Sequence, residues 1–168
     1  RQGIEIVYRT YRMAIACTIE YAQASTGLAN PTKADVLSRM VTTINRVNEV
    51  YEQDFGARMV LIDNNEDIYY YDSATDPYTN GNGLTMLGEN QNNLDDVIGN
   101  ANYDVGHVFS TGGGGIASLS SVCNDGSKAR GVTGQSSPIG DPFDIDYVAH
   151  EMGHQMGANH TQNNPCNS

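Results

Sequence analysis

Residues 150–160 read HEMGHQMGANH, and this stretch decides how the rest of the chain is interpreted. On an α-helix, His150 and His154 are separated by about 40° around the axis and about 6 Å along it. Both imidazoles therefore lie on one face. Glu151 flanks that face, where a carboxylate can accept and donate a proton without being a ligand. The stretch predicts a helix that presents two metal-binding histidines and one general base.

A third ligand is predicted just beyond the end of this helix. A catalytic zinc ion usually has three protein ligands and leaves one position for water. Gly157 can adopt the left-handed conformation that ends a helix and turns the chain back. His160 can then reach the ion shared by His150 and His154. An all-imidazole set favours Zn²⁺, although it also accepts other transition metals.

The composition indicates one folded domain over residues 1–168. Hydrophobic residues make up 39% of the chain and charged residues 17%, which is typical of a globular protein and not of a disordered one. The formal net charge is −11, so nucleic acid and anionic membrane surfaces are poor candidate partners. No apolar run is long enough to span a membrane. We expect a secreted protein and a monomer.

Hydrophobic periodicity predicts strands that alternate with long helices. Four segments have the pattern of strands, and the last of them is expected at a sheet edge: 11–21, 57–63, 104–110 and 116–122. Residues 67–72 are predicted to extend the second strand or to form another. Three helices are predicted: one from the start signal at 30–32 to Gly56, one from about 89 to 101, and one that starts near Pro142 and carries the histidines. The segments predicted to be irregular are 76–83, 111–115 and 126–142. This order of elements indicates an α/β fold.

The complete pattern HExxHxxGxxH resembles that of the metzincin metalloproteases. The order of the predicted elements is similar to that of their reprolysin (adamalysin) branch, over most of the chain. The segment GIASLSSVC at residues 115–123 is similar to the edge strand of that branch, which closes with a cysteine. The resemblance implies a mixed, twisted sheet of about five strands with an edge strand along the cleft, two long helices and an active-site helix.

The same resemblance implies an activity and a site. It implies a metalloendopeptidase that binds Zn²⁺ through His150, His154 and His160 and hydrolyses peptide bonds, with Glu151 as general base. A protein or peptide substrate would bind by strand addition along the edge strand, near Gly115-Ser121.

The sequence departs from the family pattern at two places. Metzincins have a methionine-containing turn downstream of the third histidine. This sequence stops at Ser168, too soon for such a turn, and Met152 and Met156 lie inside the predicted helix. We therefore expect the C-terminal subdomain to be truncated or absent. The branch often has aspartate after the third histidine, where this chain has Thr161.

Two alternative functions remain open at this point. The missing methionine turn favours a zinc-stabilised binding or adhesion module, which is an inactive protease-like domain. The intact Glu151 argues against that alternative, because a purely structural zinc site needs no base. A non-peptidase zinc hydrolase is a third hypothesis, and the similarity of the edge strand to a peptide-binding strand argues against it.

The remaining candidate residues are interpreted as structural. Cys17 lies in an apolar segment and is expected to be a buried thiol, whereas Cys123 and Cys166 could form a disulfide in an oxidising compartment. His107 shares one face of a strand with apolar side chains, so we predict a core residue there. Reprolysin-like domains often have a calcium site, and the resemblance makes Asp104 its best candidate.

Overall fold

A mixed five-stranded sheet lies at the centre of the computed structural model, which describes residues 8–163. The strands are β1 (Arg9–Cys17), β2 (Ala57–Leu61), β3 (Val105–Ser110), β4 (Gly115–Ala117) and β5 (Gly131–Gly134). Their order in the sheet is β2-β1-β3-β5-β4, and β4 runs antiparallel to β5 while the other pairs are parallel. The predicted α/β fold with a mixed sheet of about five strands is confirmed.

The helices cover both faces of this sheet. They are α1 (Ile19–Thr26), α2 (Lys33–Asp54), α3 (Gly83–Val97), α4 (Asp141–Phe143) and α5 (His150–Gln155), and a π-helical segment (Asp144–Ala149) joins α4 to α5. Alternate residues of β1 face opposite cores, as the pleat of a strand requires. Met13 and Ile15 pack with α1, α2 and Phe143, whereas Ala14 packs with α3. In the part of the chain that is described, no helix is long and apolar enough to cross a membrane.

The first strand is shorter than the predicted 11–21. It ends at Cys17, and Tyr21 already belongs to α1. The cause is Thr18, whose hydroxyl accepts a hydrogen bond from the Tyr21 backbone N–H at 3.2 Å. A threonine in this position satisfies an N–H group that the first turn of a helix leaves free, so it favours the start of the helix. Cys17 is fully buried, as predicted.

The long helix α2 matches its prediction, and the segment after β2 does not. Thr32 and Asp35 form a capping box at the start of α2, and Gly56 follows its end with φ 62°. Residues 67–72 form no strand, since Tyr69 makes only an isolated bridge to Cys17. The Asn65 side chain takes the place of a neighbouring strand, because its amide bonds both the N–H and the carbonyl of Ile15, at 2.8 and 3.0 Å.

The prediction for the second helix places both of its ends too far along the chain. It was expected from about 89 to 101, whereas α3 runs from Gly83 to Val97. Asn82 caps the helix by accepting a hydrogen bond from the Thr85 N–H at 3.2 Å. Asparagine and glycine are typical of turns, but asparagine is also among the best N-cap residues. The turn-forming residues at 80–83 therefore include the start signal of the helix.

The predicted irregular segment 126–142 contains β5. This strand is only four residues long and has glycine at both ends, so it lacks the pattern by which strands are recognised. Its pairing with β3 and β4 determines its conformation. The predicted strand 116–122 is an edge strand, as expected, but it ends at Ala117.

The two edges of the sheet differ in their free backbone groups. At the β2 edge, the Asn48 side chain covers Met59: it donates to the Met59 carbonyl at 2.8 Å and accepts from the Met59 N–H at 2.7 Å. At the β4 edge, the ladder to β5 uses Gly114 and Ser118. The intervening Gly115 and Ala117 are therefore non-hydrogen-bonded positions, whose backbone groups point away from β5. Among the described residues, a side chain thus covers the outward groups of Met59, whereas those of Gly115 and Ala117 have no such cover.

Candidate metal centre

Three histidine side chains meet at the end of α5. His150 and His154 project from consecutive turns of the helix, and His160 returns from the loop beyond it. The Nε2 atoms of the three rings lie 3.1 Å from one another in every pair. His150 and His160 are exposed and His154 is half-buried, so the Nε2 atoms face an open cleft. These three residues are called the histidine cluster below.

The spacing of the histidine cluster fits a tetrahedral metal ion. Nitrogens that bind Zn²⁺ tetrahedrally at about 2.0–2.1 Å lie roughly 3.3 Å apart. The observed separation of 3.1 Å is close to that value. Three imidazoles with one open position are the donor set of catalytic zinc sites. The residues present therefore fit a zinc ion.

The protonation state of the cluster also suits a metal. His154 Nδ1 lies 2.7 Å from the Ala158 carbonyl oxygen, which can only accept a hydrogen bond. The proton of neutral His154 is therefore on Nδ1, and Nε2 directs its lone pair at the cluster. Burial, followed by the positive charges of His154 and His160, lowers the pKa of His150. The neutral form that binds metals is thereby favoured.

The end of α5 is fixed from two sides. Gly157 has φ 103°, and the N–H groups of Gly157 and Ala158 bond back to carbonyls in the helix. The segment after β4 supplies further donors, because Ser120 N–H bonds the His154 carbonyl at 3.0 Å and Ser121 N–H bonds that of Gln155 at 2.9 Å. These bonds explain why β4 stops before residue 118. They also hold the turn from which His160 returns. This turn was predicted from the presence of Gly157.

Glu151 lies beneath the edge strand. Its side chain is 6% exposed and neighbours Gly115 of β4. Burial raises the pKa of Glu151, and the charge of His154 opposes the shift. A carboxylate with a raised pKa is a better proton acceptor near neutral pH than an ordinary one. The position beside the histidine cluster is the one predicted from the sequence.

The other side of α5 is anchored to the sheet through buried polar groups. The Gln155 amide oxygen accepts from His107 Nδ1 at 2.8 Å, and its nitrogen donates to the Gly106 carbonyl at 2.9 Å. His107 Nε2 in turn lies 2.8 Å from the Thr133 hydroxyl. His107 is fully buried, as predicted. Sequence reasoning missed Gln155, although its place four residues after Glu151 identifies it as an inward-facing polar side chain.

A second anchor joins the segment before α5 to α2. The buried Asp144 carboxylate accepts from the Thr43 hydroxyl at 2.7 Å and pairs with Arg46 at 3.4 Å. Arg46 also pairs with Asp141. Near the histidines, the Tyr51 hydroxyl donates to the Ala149 carbonyl at 2.7 Å. No local pattern predicts these contacts, because the partners lie about a hundred residues apart in the chain.

A cavity of about 640 Å³ adjoins the histidine cluster. It is lined by Tyr51 of α2, by Phe55 just after that helix, and by Ile145 and Asp146. The three histidines also line it, and His150 and His160 are exposed. There is therefore room beside the cluster for water and for a larger ligand.

Two other predicted features have different outcomes. Asp104 does not offer an open carboxylate for calcium, because both of its oxygens are bonded by Arg12, at 2.7 Å from the guanidinium and 2.8 Å from the backbone N–H. The structure gives no support to a calcium site there. Cys123 is exposed and free within the described residues. Cys166 lies outside them, so the predicted bridge stays a prediction.

Comparison with known proteins gives the family. The family model for metallopeptidase family M12B, reprolysin-like, matches residues 37–161. This match covers most of the chain, from within α2 through the histidine cluster. A search of curated proteins returns no match. A mixed α/β domain with three clustered histidines on a helix and the loop that follows it is the arrangement of a metallopeptidase. The chain belongs to the reprolysin-like metallopeptidase family M12B, as the motif predicted.

Proposed function

We propose that this chain is a zinc-dependent endopeptidase. The observation that carries the proposal is the convergence of three Nε2 atoms at 3.1 Å beside the buried side chain of Glu151. His150, His154 and His160 would hold Zn²⁺. The family supports metallopeptidase activity, and the arrangement of the chain's own residues supports the finer assignment.

The residues of the site divide the chemistry among them. When bound, zinc supplies Lewis acidity, which polarises a carbonyl and makes a water molecule acidic near neutral pH. The Glu151 carboxylate would accept a proton from the attacking water as the water oxygen bonds to the scissile carbonyl carbon. The same carboxylate would then deliver that proton to the departing amine nitrogen as the C–N bond breaks. Its raised pKa makes both transfers accessible to one group.

The substrate would be an extended peptide bound along β4. Gly115 and Ala117 direct their backbone groups away from β5, and these groups have no partner among the described residues. A peptide strand can pair with them by main-chain hydrogen bonds, which is recognition by strand addition. The covered β2 edge offers no such pairing at Met59. The Glu151 carboxylate lies directly under this edge, so pairing would bring a peptide bond to the base.

The proposal includes a location outside the cell. The net charge of −11 supports solubility in that environment and weak attraction to anionic surfaces. Detection of the protein in culture medium, after expression with its native upstream sequence, would support secretion. Recovery from the cell interior alone would contradict it.

The test of the activity compares wild type with Glu151→Gln on a denatured protein substrate. Loss of the base should lower kcat by about 100- to 10,000-fold, because that is the usual contribution of general acid–base catalysis. Zinc content measured by mass spectrometry should be the same in both proteins. Chelation should abolish cleavage by wild type, and added Zn²⁺ should restore it.

Two outcomes would contradict the proposal. Equal cleavage by wild type and Glu151→Gln would exclude the carboxylate as the base. Full zinc occupancy without cleavage by wild type, together with a melting temperature that falls on chelation, would favour the zinc-stabilised binding module instead.

A further inference from the structure

The run of four glycines before and within β4 has more than one physical cause. A Cβ on Gly112 would lie 2.9 Å from the Asn80 carbonyl oxygen, and one on Gly113 would lie 2.7 Å from the Gly83 nitrogen. Gly113 and Gly114 have positive φ values of 84° and 71°. These three glycines are therefore required by backbone packing or backbone conformation.

Neither backbone packing nor backbone conformation requires a glycine at position 115. Its φ does not lie in the left-handed region, so the backbone there would accept any residue. A Cβ on Gly115 would meet a side chain instead: it would lie 2.8 Å from Cδ and 3.0 Å from Cγ of Glu151, and closer still to one carboxylate oxygen. The absence of a side chain at this position thus leaves room for the Glu151 carboxylate.

We propose that Gly115 is a positioning residue, which sets where the Glu151 carboxylate lies by having no side chain. This inference rests on the proposed function and adds a residue to it. The backbone of Gly115 would pair with the substrate, while the space above its Cα holds the base. One residue of β4 thereby fixes the distance between the bound peptide and the group that moves the proton.

The contact between a Cβ at position 115 and Glu151 predicts how a methyl group there would impair the protein. The atoms that it would meet belong to a flexible glutamate, so the carboxylate would move while the fold stays intact. A displacement of about 1 Å at a reacting group can reduce the rate about 100-fold. Gly131 in β5 is different, because a Cβ there would lie 2.6 Å from Cδ of Gln155 and would disturb the bonded pair that Gln155 makes with His107. An alanine there would cost stability.

The experiment is Gly115→Ala in the zinc-loaded full chain, with Gly88→Ala as the matched control. Gly88 lies in α3, and apart from the neighbouring backbone of that helix no atom lies within 4 Å of a Cβ built on it. We expect Gly115→Ala to lower kcat about 100-fold, with KM changed less than about threefold. Zinc content and melting temperature should equal those of wild type. Gly88→Ala should leave kcat, KM and zinc content unchanged.

Two further experiments test the role of Gly115 separately from the proposed function: the same change in the Glu151→Gln variant, and a crystal structure. In Glu151→Gln, the change Gly115→Ala should cause no further loss of kcat, because the displaced group no longer acts as a base. A crystal structure of Gly115→Ala should show the Glu151 carboxylate moved by about 1 Å or more, a readout that requires no activity.

The inference would be overturned by an unchanged kcat, by a rise in KM at constant kcat, or by an equal loss in the Glu151→Gln background. An unmoved carboxylate in the crystal structure would also overturn it. Absence of zinc-dependent cleavage by wild type would instead refute the proposed function, and the crystal structure would still test the position of Glu151.

Discussion

His107 and the histidine cluster place the same side chain in opposite surroundings. His107 is fully buried, and both ring nitrogens have a protein partner at 2.8 Å, in Gln155 and Thr133. In the cluster, the Nε2 atoms meet one another at an open cleft. A triangle of imidazole nitrogens cannot satisfy every lone pair by mutual hydrogen bonds, whereas a cation can accept all three. Satisfied nitrogens indicate a structural histidine, and convergent unsatisfied nitrogens indicate a ligand.

The largest expected effect comes from removing one nitrogen of the cluster. His154→Ala leaves two imidazoles, and we expect zinc content to fall from about one ion per chain to near zero at micromolar metal. Cleavage of a denatured protein substrate should fall to the level of chelated wild type. His107→Gln is the control, because glutamine can both donate and accept at that site, and it should keep its zinc. Full zinc content in His154→Ala would contradict the assignment of the histidine cluster as metal ligands and of His107 as a structural residue.

Removing the buried histidine should affect stability and not metal binding. In His107→Leu, the Gln155 oxygen and the Thr133 hydroxyl lose their partner at a fully buried position. Each unsatisfied group costs about 1–3 kcal/mol, so we expect a loss of about 2–6 kcal/mol in the free energy of unfolding. Denaturant unfolding measures this loss, and zinc titration of the folded variant should match wild type. A stable His107→Leu that has lost its zinc would reverse the two roles.

The free energy of unfolding should depend on pH in a way that reflects the lowered pKa of His107. Burial lowers the pKa of His107 to about 4, and the hydrogen bond to Gln155 opposes that shift. The unfolded chain therefore binds a proton at a higher pH than the folded one does. The stabilisation is complete above about pH 6.5 and is lost as the pH falls from there to about 4, by up to about 3 kcal/mol.

Unfolding of metal-free wild type and His107→Gln at a series of pH values measures this contribution. The wild type should lose more stability than the variant between pH 6.5 and 4. Parallel curves would show that His107 titrates in the same way in the folded and unfolded chains.

The smallest effect is expected at the turn that returns His160. Gly157→Ala places a Cβ at φ 103° and 3.0 Å from the Ser120 hydroxyl oxygen. Strain of roughly 1–3 kcal/mol opposes the returning turn, so zinc affinity should fall by about ten- to a hundredfold. Competition with a zinc-binding dye measures the affinity. Gly88→Ala serves as the control, and unchanged affinity in Gly157→Ala would show that the turn does not limit access of His160 to the site.

The spacing of residues 150–160 predicted that the three histidines would meet, because every step is local. The two histidines one turn apart, the flanking Glu151 and the left-handed Gly157 depend on helix geometry and glycine conformation alone. The fold class followed from strands and helices with strong patterns, such as α2 with its capping box. Asn82 has a residue type that is typical both of turns and of helix starts, and there the predicted boundary of the helix was wrong.

The parts that could not be predicted depend on contacts between distant segments. β5 has no pattern of its own and exists through pairing with β3. Asn65 replaces a strand beside Ile15, and Gly115 makes room for Glu151, which is far from it in the chain. No periodicity links such pairs, because their proximity results from the completed sheet.

Zinc X-ray absorption spectroscopy of the zinc-loaded full chain would identify the ligands of the metal. We expect three imidazole nitrogens and one oxygen at about 2.0–2.1 Å, with four ligands in total. His107→Gln should give the same spectrum, and His154→Ala should bind no zinc under the same conditions. A sulfur ligand at about 2.3 Å, or an unaltered spectrum in His154→Ala, would contradict the assignment of His150, His154 and His160 as the zinc ligands.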